Sequence, residues 1–435
     1  MNRVAALACP ILLLVTWQVS AAVSDRALED AARATDAQVL AWRRDIHQHP
    51  ELGNREFRTS QKVAGHLQSL GLEVKTGVAH TGVVGILRGG QPGPTIALRA
   101  DMDALPVTEQ VDLPFKSVAT AEYRGETVGV MHACGHDAHT AILMGVAQVL
   151  AGLRQELPGT VLFIFQPAEE GAPEGERGGA ALMLEEGLFD LANPEAVFGL
   201  HVFAALETGT IGYRPGPVMA ASDSYRIAVR GRQSHGARPW EGVDPIVVAS
   251  QVVMGMQTIV SRQTDISRYP AVLSVGAIKG GIRSNIIPDE VELIGTLRTF
   301  DPAVRQQIIE RMTRTAVDIS HSAGATATVE LGDQSNPVLV NDGALTARMV
   351  PTLEHVAGTG RVAQIPYLTS AEDFAFYAQR VPSLFFQLGV TPAGSDPAKV
   401  AGVHSPRFKL DEAALPIGLR AMLGVAVDYL QGTKR

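Results

Sequence analysis

Ten residues, from Met131 to Thr140, hold three histidines, a cysteine and an aspartate. Thiolate, imidazole and carboxylate are the donors that a borderline-soft divalent cation takes. Cys134 and His136 stand two residues apart, a spacing that lets an extended turn aim both side chains at one ion. Gly135 between them allows the backbone to come close. The apolar run 141–150 reads as a buried helix, which sets the cluster at a helix N-terminus where the dipole favours an ionised thiol. The alternative is a buried free thiol with histidines nearby for other reasons.

Further polar groups follow the same pattern, each closing an apolar segment. Asp101 and Asp103 follow the strand-like run 95–99. Glu169 and Glu170 follow the continuous apolar run 161–165, and His201 ends the apolar run 196–200. Strand ends are where α/β sheets place site residues. Adjacent acids repel, so Glu169 and Glu170 need a cation or separate tasks. On an extended segment they point opposite ways, so one can bind a metal while the other faces a reacting water. His404 lies in a loop, and His235 lies in a different part of the chain.

The elements that must carry these groups are legible from periodicity. Helical spacing covers 28–44, 57–70 and 178–186, and a buried strand is expected at 83–87. Residues 212–222 are rich in Gly, Pro, Ala and Ser and read as a linker. Beyond them, strands at 225–229, 272–278, 291–298 and 327–331 alternate with helices at 245–260 and 303–322. That pattern predicts one sheet with helices on one face. We expect a unit at 222–332 inserted into a larger domain made of 23–221 and 333–435.

Residues 1–22 read as an export signal. Arg3 is followed by an apolar stretch at 5–17 and by small residues up to Ala22, with cleavage expected after Ala21 or Ala22. The expected location is periplasmic or secreted. The chain has two cysteines, and Cys9 leaves with the signal, so Cys134 is left without a disulfide partner. A lone thiol in an oxidising compartment is a liability unless it is buried or used. The net charge is −8, and removal of Arg3 makes it one unit more negative. Nucleic acid and anionic membrane are therefore not expected as partners.

Taken together, these motifs resemble the M20 family of metallo-aminoacylases and carboxypeptidases, and within it the hippurate hydrolase and auxin-conjugate amidohydrolase branch. The matching stretches are 43–53, Arg99 to Pro106, His132 to Thr140, and Phe165-Gln166-Pro167-Ala168-Glu169-Glu170. They continue through Gly199-Leu200-His201-Val202, Ser284 to Asp289, Ser370-Ala371-Glu372-Asp373-Phe374 and His404. They keep the family's order over nearly all of the mature chain. Any one of them is weak, but together they are specific.

The resemblance implies an α/β fold with a zinc-exopeptidase-like catalytic domain, a central mixed sheet and an inserted α+β lid and dimerisation domain. It implies two divalent metal ions, zinc or manganese, held by Cys134, His136, Glu170, His201 and His404. Glu169 matches the general base. The broader family has a His-x-Asp motif where this chain has Asp101-Met102-Asp103. One imidazole is thus missing, consistent with a ligand from Cys134, and Asp103 becomes an orienting group. His235 matches the residue that stabilises the oxyanion, often from the partner subunit of a homodimer. Asn285 and Arg298 match positions that bind the substrate's polar groups and α-carboxylate; a guanidinium fork suits a carboxylate. The branch usually has Gly-Gly-His and a later His where this chain has Gln233-Ser234-His235 and Trp240, which bears on pocket shape. The implied reaction is hydrolysis of the amide bond of an N-acyl amino acid or small peptide. Two rivals remain from the residues alone: a cysteine hydrolase pairing Cys134 with His136 or His139, and an exported binding protein without catalysis.

Overall fold

The structure is a computed structural model that describes residues 22–332, 335–396, 399–433 and 435. The expected export signal at 1–22, apart from Ala22, and the domain boundary at 333 lie outside the described residues.

The architecture is mixed α/β around one large sheet. Its eight strands run in the order Glu73–Val78, Gly82–Arg88, Pro158–Gln166, Gln91–Asp101, Ala196–Glu207, Ser383–Thr391, Ile211–Tyr213 and Val362–Gln364. The four central strands, from Pro158–Gln166 to Ser383–Thr391, are mutually parallel. Antiparallel pairs flank them on both sides. Central strands buried on both faces need continuous apolar runs. That is why Val161 to Phe165 and every residue of Ser383–Thr391 are buried.

Helices cover both faces. Asp25–Gln48, His136–Gly152 and Leu415–Gln431 pack on one face, sharing a core with Leu98, Phe163, Phe198 and Phe386. A second cluster beneath the other face includes Ile164, Val197, Phe374, Tyr377 and Phe385. The segment Glu412–Gln431 is long and apolar enough to cross a membrane by composition, yet 72% of its most apolar window is buried against the protein. It is a core helix of this fold.

A second sheet has the order Ala271–Gly280, Glu290–Thr299, Ala221–Arg230 and Thr326–Leu331, antiparallel throughout. Helices Pro245–Gln263 and Pro302–Ser322 cover one face and share a separate core with Ile227, Val252, Leu293 and Met312. Both helices begin with Pro after an aspartate cap, Asp244 and Asp301, whose carboxylates accept backbone N–H groups of the first turn.

Two expectations are corrected. Residues 212–222 are not a linker: they carry the end of Ile211–Tyr213, all of Gly216–Met219 and the start of Ala221–Arg230. Gly and Pro there mark tight turns between short strands, and Gly216 adopts a φ of 75°. The helix expected at 141–150 begins at His136. Its polar first turn has no helical apolar period, so periodicity could not reveal it.

Candidate active site

The motif residues converge at the C-terminal ends of the central parallel strands. Cys134 Sγ lies 3.4 Å from His201 Nε2, and His404 Nε2 lies 3.1 Å from Glu170 Oε1. Donor atoms of Cys134, His136 and His201 lie within 4.8 Å of one another, as do those of Cys134, Glu170 and His404. The two sets share Cys134. All five residues named as metal ligands from the sequence are brought together.

Local backbone geometry aims them. Gly135 caps the helix with φ of 86°, and a Cβ there would sit 2.4 Å from Val202 Cγ2. No other residue fits without displacing Val202, which follows His201. Ala168 turns sharply at the end of its strand with φ of 51°, and its N–H is held by buried Glu56 at 2.8 Å. That turn leads directly into Glu169 and Glu170. His404 also has positive φ, 66°, and its N–H bonds to Ala133 O at 2.8 Å, tying the loop histidine to the cysteine segment. Such strain is typical of functional sites.

The supporting hydrogen bonds settle which histidine atoms remain available. His136 Nδ1 lies 3.2 Å from Asp103 Oδ1, while Asp103 Oδ2 accepts the Glu170 N–H at 2.9 Å. Asp103 therefore orients both neighbours, as expected. His136 Nε2 is buried and has no hydrogen-bond partner, while Glu170 Oε1 faces His404 Nε2 at 3.1 Å. Orphaned buried donors of this kind are costly unless a cation satisfies them. His201 Nδ1 donates to the Val202 carbonyl at 2.7 Å, which leaves Nε2 as the lone-pair nitrogen facing Cys134. The donor set thus fits divalent metal.

Electrostatics agree. Burial pushes the Cys134 thiol well up, with Glu170 and Glu169 adding to the effect. Burial also raises Glu169 well above the usual carboxylate range, reinforced by Glu372, Glu170 and Asp373. Burial opposes the charged form of His136, but Asp101 and Asp103 outweigh it and lift the imidazole to about 10. Excess buried negative charge on this scale is what a pair of dications neutralises.

Of the two bases in the cysteine-hydrolase reading, His139 is unavailable. His139 Nδ1 is bonded to Asp101 at 2.6 Å and its Nε2 accepts the Val202 N–H at 2.9 Å, so both nitrogens are committed. His136 Nδ1 is committed to Asp103.

Sequence reasoning missed the group beneath the site. Arg99 is fully buried, with Nη1 2.6 Å from Asp101, and Nη2 3.0 Å from both Glu372 and Asp373. Gln166 accepts from Arg99 Nε at 2.9 Å and donates to Asp373. Asp101 in turn lies 3.7 Å from His136 Nε2. Burial would raise Asp101, but His136, Arg99 and His139 hold it well below its ordinary value. An arginine two residues before an aspartate on a strand shares its face, the one signal that could have exposed the pair. A second buried group, Arg43, His47 and Asp137, braces the helix start, with His47 Nδ1 2.8 Å from Asp137.

His235, Asn285 and Arg298 sit on the second sheet unit. His235 and Asn285 are exposed; they flank one another where His235 pairs with Ile286. Among the described residues, no hydrogen bond or ion pair joins these three to the metal-ligand set. His235 Nδ1 accepts the Ala237 N–H at 3.0 Å, which fixes the proton on Nε2, facing outward as a donor.

Residues 97–428 match the sequence profile of the peptidase family M20/M25/M40. The chain is 38% identical over 403 residues to thermostable carboxypeptidase 1 of Saccharolobus solfataricus, covering 92% of this chain and 98% of that protein. It is 38% identical over 406 residues to an N-acetylcysteine deacetylase of Bacillus subtilis, covering 93% and 100%. An IAA-amino acid hydrolase of Arabidopsis thaliana is 37% identical over 395 residues, covering 90% and 86%. The crystal structure of a dinuclear metal-binding peptidase of the M20 family from Bacillus subtilis superposes with a TM-score of 0.74 at 35% identity, covering 92% of this chain and 99% of that one. The chain belongs to the M20 peptidase family. Its fold is that of a dinuclear metal-dependent hydrolase, which implies two divalent ions.

Two outcomes follow from the site's packing. Arg99→Met leaves Asp101, Glu372 and Asp373 uncompensated and lowers unfolding free energy by about 3–5 kcal/mol in urea titration. Asp103→Asn weakens metal binding by about 10- to 100-fold in competition with a chromophoric chelator, because His136 and Glu170 both lose their orienting partner.

Proposed function

We propose that this chain hydrolyses the amide bond of N-acyl amino acids or small peptides carrying a free α-carboxylate. The observation that carries the reading is the convergence of Cys134, His136, Glu170, His201 and His404 beside one further buried acid, Glu169. His136 Nε2 lies 3.9 Å from Glu169 and 4.0 Å from Glu170, so the free acid borders the ligand cluster directly. The names of the carboxypeptidase, deacetylase and auxin-conjugate relatives support the same bond type.

When bound, two divalent ions, zinc or manganese, polarise the carbonyl and acidify water. Glu169 takes the proton of the attacking water at its carboxylate and delivers it to the leaving nitrogen. The raised affinity of Glu169 for a proton suits that shuttle. Asp103 holds His136 and the Glu170 backbone in register. Arg298, half-buried and with no acid bonded to it among the described residues, takes the α-carboxylate, and Asn285 binds an adjoining polar group. His235 donates Nε2–H to the developing oxyanion.

His235 reaches its target from a partner subunit. The strand Ala271–Gly280 forms an open edge of the second sheet. Exposed apolar side chains surround it: Ile278 at 60%, Val247 at 53% and Met254 at 70%. An open edge beside an apolar patch is a surface made for self-pairing. The proposed location is outside the cytoplasm, supported by the export-type stretch 1–22.

Glu169→Gln lowers turnover of N-acyl amino acids by roughly 10³-fold or more while elemental analysis finds metal content unchanged. Substantial residual turnover refutes the assignment. Mixed Glu169→Gln and His235→Ala subunits, each inactive alone, recover about a quarter of wild-type activity on random pairing, since one site per heterodimer is complete. No recovery on mixing rejects action across subunits.

A further inference from the structure

No side chain of the stretch 43–53 belongs to the ligand set, yet His47 is buried with both ring nitrogens against carboxylates. Nδ1 stands 2.8 Å from Asp137 Oδ2, and Nε2 stands 3.2 Å from Glu109 Oε1. A neutral imidazole has one N–H and one lone pair, so either tautomer turns a lone pair onto a carboxylate oxygen. The imidazolium donates to both. Arg43 Nη2 also lies 3.4 Å from Nδ1, but the contact to Asp137 is shorter and decides for an N–H there. The charges balance: Arg43 and His47 face Asp137 and Glu109, two cations against two anions. The His132 ring, 6.5 Å from that of His47, is kept uncharged by burial. Burial works against the charge on His47, but Asp137 and Glu109 outweigh burial and Arg43, and its pKa is raised.

The two carboxylates belong to different supports of the site. Asp137 stands in the first turn of the helix His136–Gly152, next to the candidate ligand His136. Glu109 lies in the segment 106–119 and shapes it. Its Oε2 accepts the Ser117 N–H at 2.7 Å, and Ser117 Oγ donates to the Val130 carbonyl at 2.7 Å. Phe115 of the same segment lies under the Arg43 guanidinium, 5.0 Å from its centroid, and meets the His47 ring edge-on at 5.6 Å. The next contact reaches the metal site: the Gln110 N–H donates to the Pro406 carbonyl at 2.8 Å, two residues beyond His404. One ring on the helix Asp25–Gln48 thus joins the start of the His136 helix to the segment that supports the His404 loop.

We propose that His47 is a positioning residue: as a doubly bonded imidazolium it ties the segment 106–119, and through it the His404 loop, to the helix that carries His136, and so aligns two metal ligands from distant parts of the chain. The inference rests on the metal-dependent reading of the site and not on any particular substrate. Its pH dependence has a definite sign. Because the folded-state pKa of His47 is raised, the tie is complete below the ordinary histidine value and is lost as pH rises through the folded value. Loss of the proton leaves one uncompensated negative charge in the buried group. The Nε2 contact to Glu109 is the longer of the two and is the one that opens.

The test uses the full chain with cobalt(II) as the probe ion. It reads amide hydrogen exchange, which reports local opening, and cobalt affinity in competition with a chromophoric chelator. His47→Gln and Glu109→Ala each remove one side of the tie. Both speed exchange in 106–119 and 402–408, leave exchange in the second sheet unit unchanged, and weaken cobalt binding by about ten-fold, the low end for loss of an orienting partner. Glu109→Gln restores the tie without the charge: its amide donates to Nε2 of a neutral His47, and its carbonyl oxygen accepts the Ser117 N–H. Exchange and affinity then stay near wild-type values at neutral pH. Since this variant has no need of the imidazolium, the affinity of the wild type relative to Glu109→Gln falls as pH is raised above neutrality. Unchanged exchange in Glu109→Ala, failure of Glu109→Gln to restore it, or a ratio constant with pH overturns the proposal. If His47→Gln does not fold, the two Glu109 variants, which leave His47 in place, decide the matter. Absence of cobalt binding by the unaltered protein instead overturns the metal reading, while the exchange data still judge the tie.

Discussion

Buried negative charge is the constraint around which this protein is built. Asp101, Asp103, Glu169, Glu170, Glu372 and Asp373 crowd the ends of four parallel strands, with a thiol among them. Ionised carboxylates are not tolerated in a protein interior without compensation. The chain supplies one fixed cation, Arg99, beneath the cluster. Arg99 satisfies the acids that face the sheet. The acids and imidazoles on the open side keep an unpartnered atom, His136 Nε2, and a pair of dications completes the set. The division explains why the same small region holds both a permanent ion pair and a metal-binding set.

Positional accuracy comes from backbone turns as much as from side-chain contacts. Gly135, Ala168 and His404 all adopt left-handed conformations, and each precedes or is a candidate site residue. In each case a neighbouring element over-determines the turn: Val202 against Gly135, Glu56 on Ala168, and Ala133 on His404. The cost of these conformations is met by the large parallel sheet behind them, whose central strands are buried throughout. A loop site without that support would leave the donors too loose to select a coordination geometry.

In the proposed mechanism the second sheet unit supplies an oxyanion donor, His235, and a carboxylate clamp, Arg298. Its core is separate from that of the large sheet. Its roots, at Ser222 and Asn336, border the cavity beside Glu169. In the proposed mechanism substrate contacts come from both units, while the candidate metal-ligand set lies wholly within the larger one.

Much of this was legible in the sequence, for physical reasons specific to each residue. The five ligand residues stand out because thiolate, imidazole and carboxylate at strand ends have few other uses, and their order along the chain matches the M20 pattern. The buried strands announce themselves as unbroken apolar runs. The helix start at His136 did not, since its first turn is polar and its cap is a glycine, needed because the turn takes a positive φ and because Val202 lies against it. Arg99 was likewise silent: an arginine on a strand looks like a surface residue until the fold places Asp101, Glu372 and Asp373 around it from distant parts of the chain. One-dimensional spacing determines which donors are present and which face of a strand they share. Only tertiary packing decides which charges meet, because the pairing of residues nearly three hundred positions apart depends on strand order, and no local pattern encodes that order.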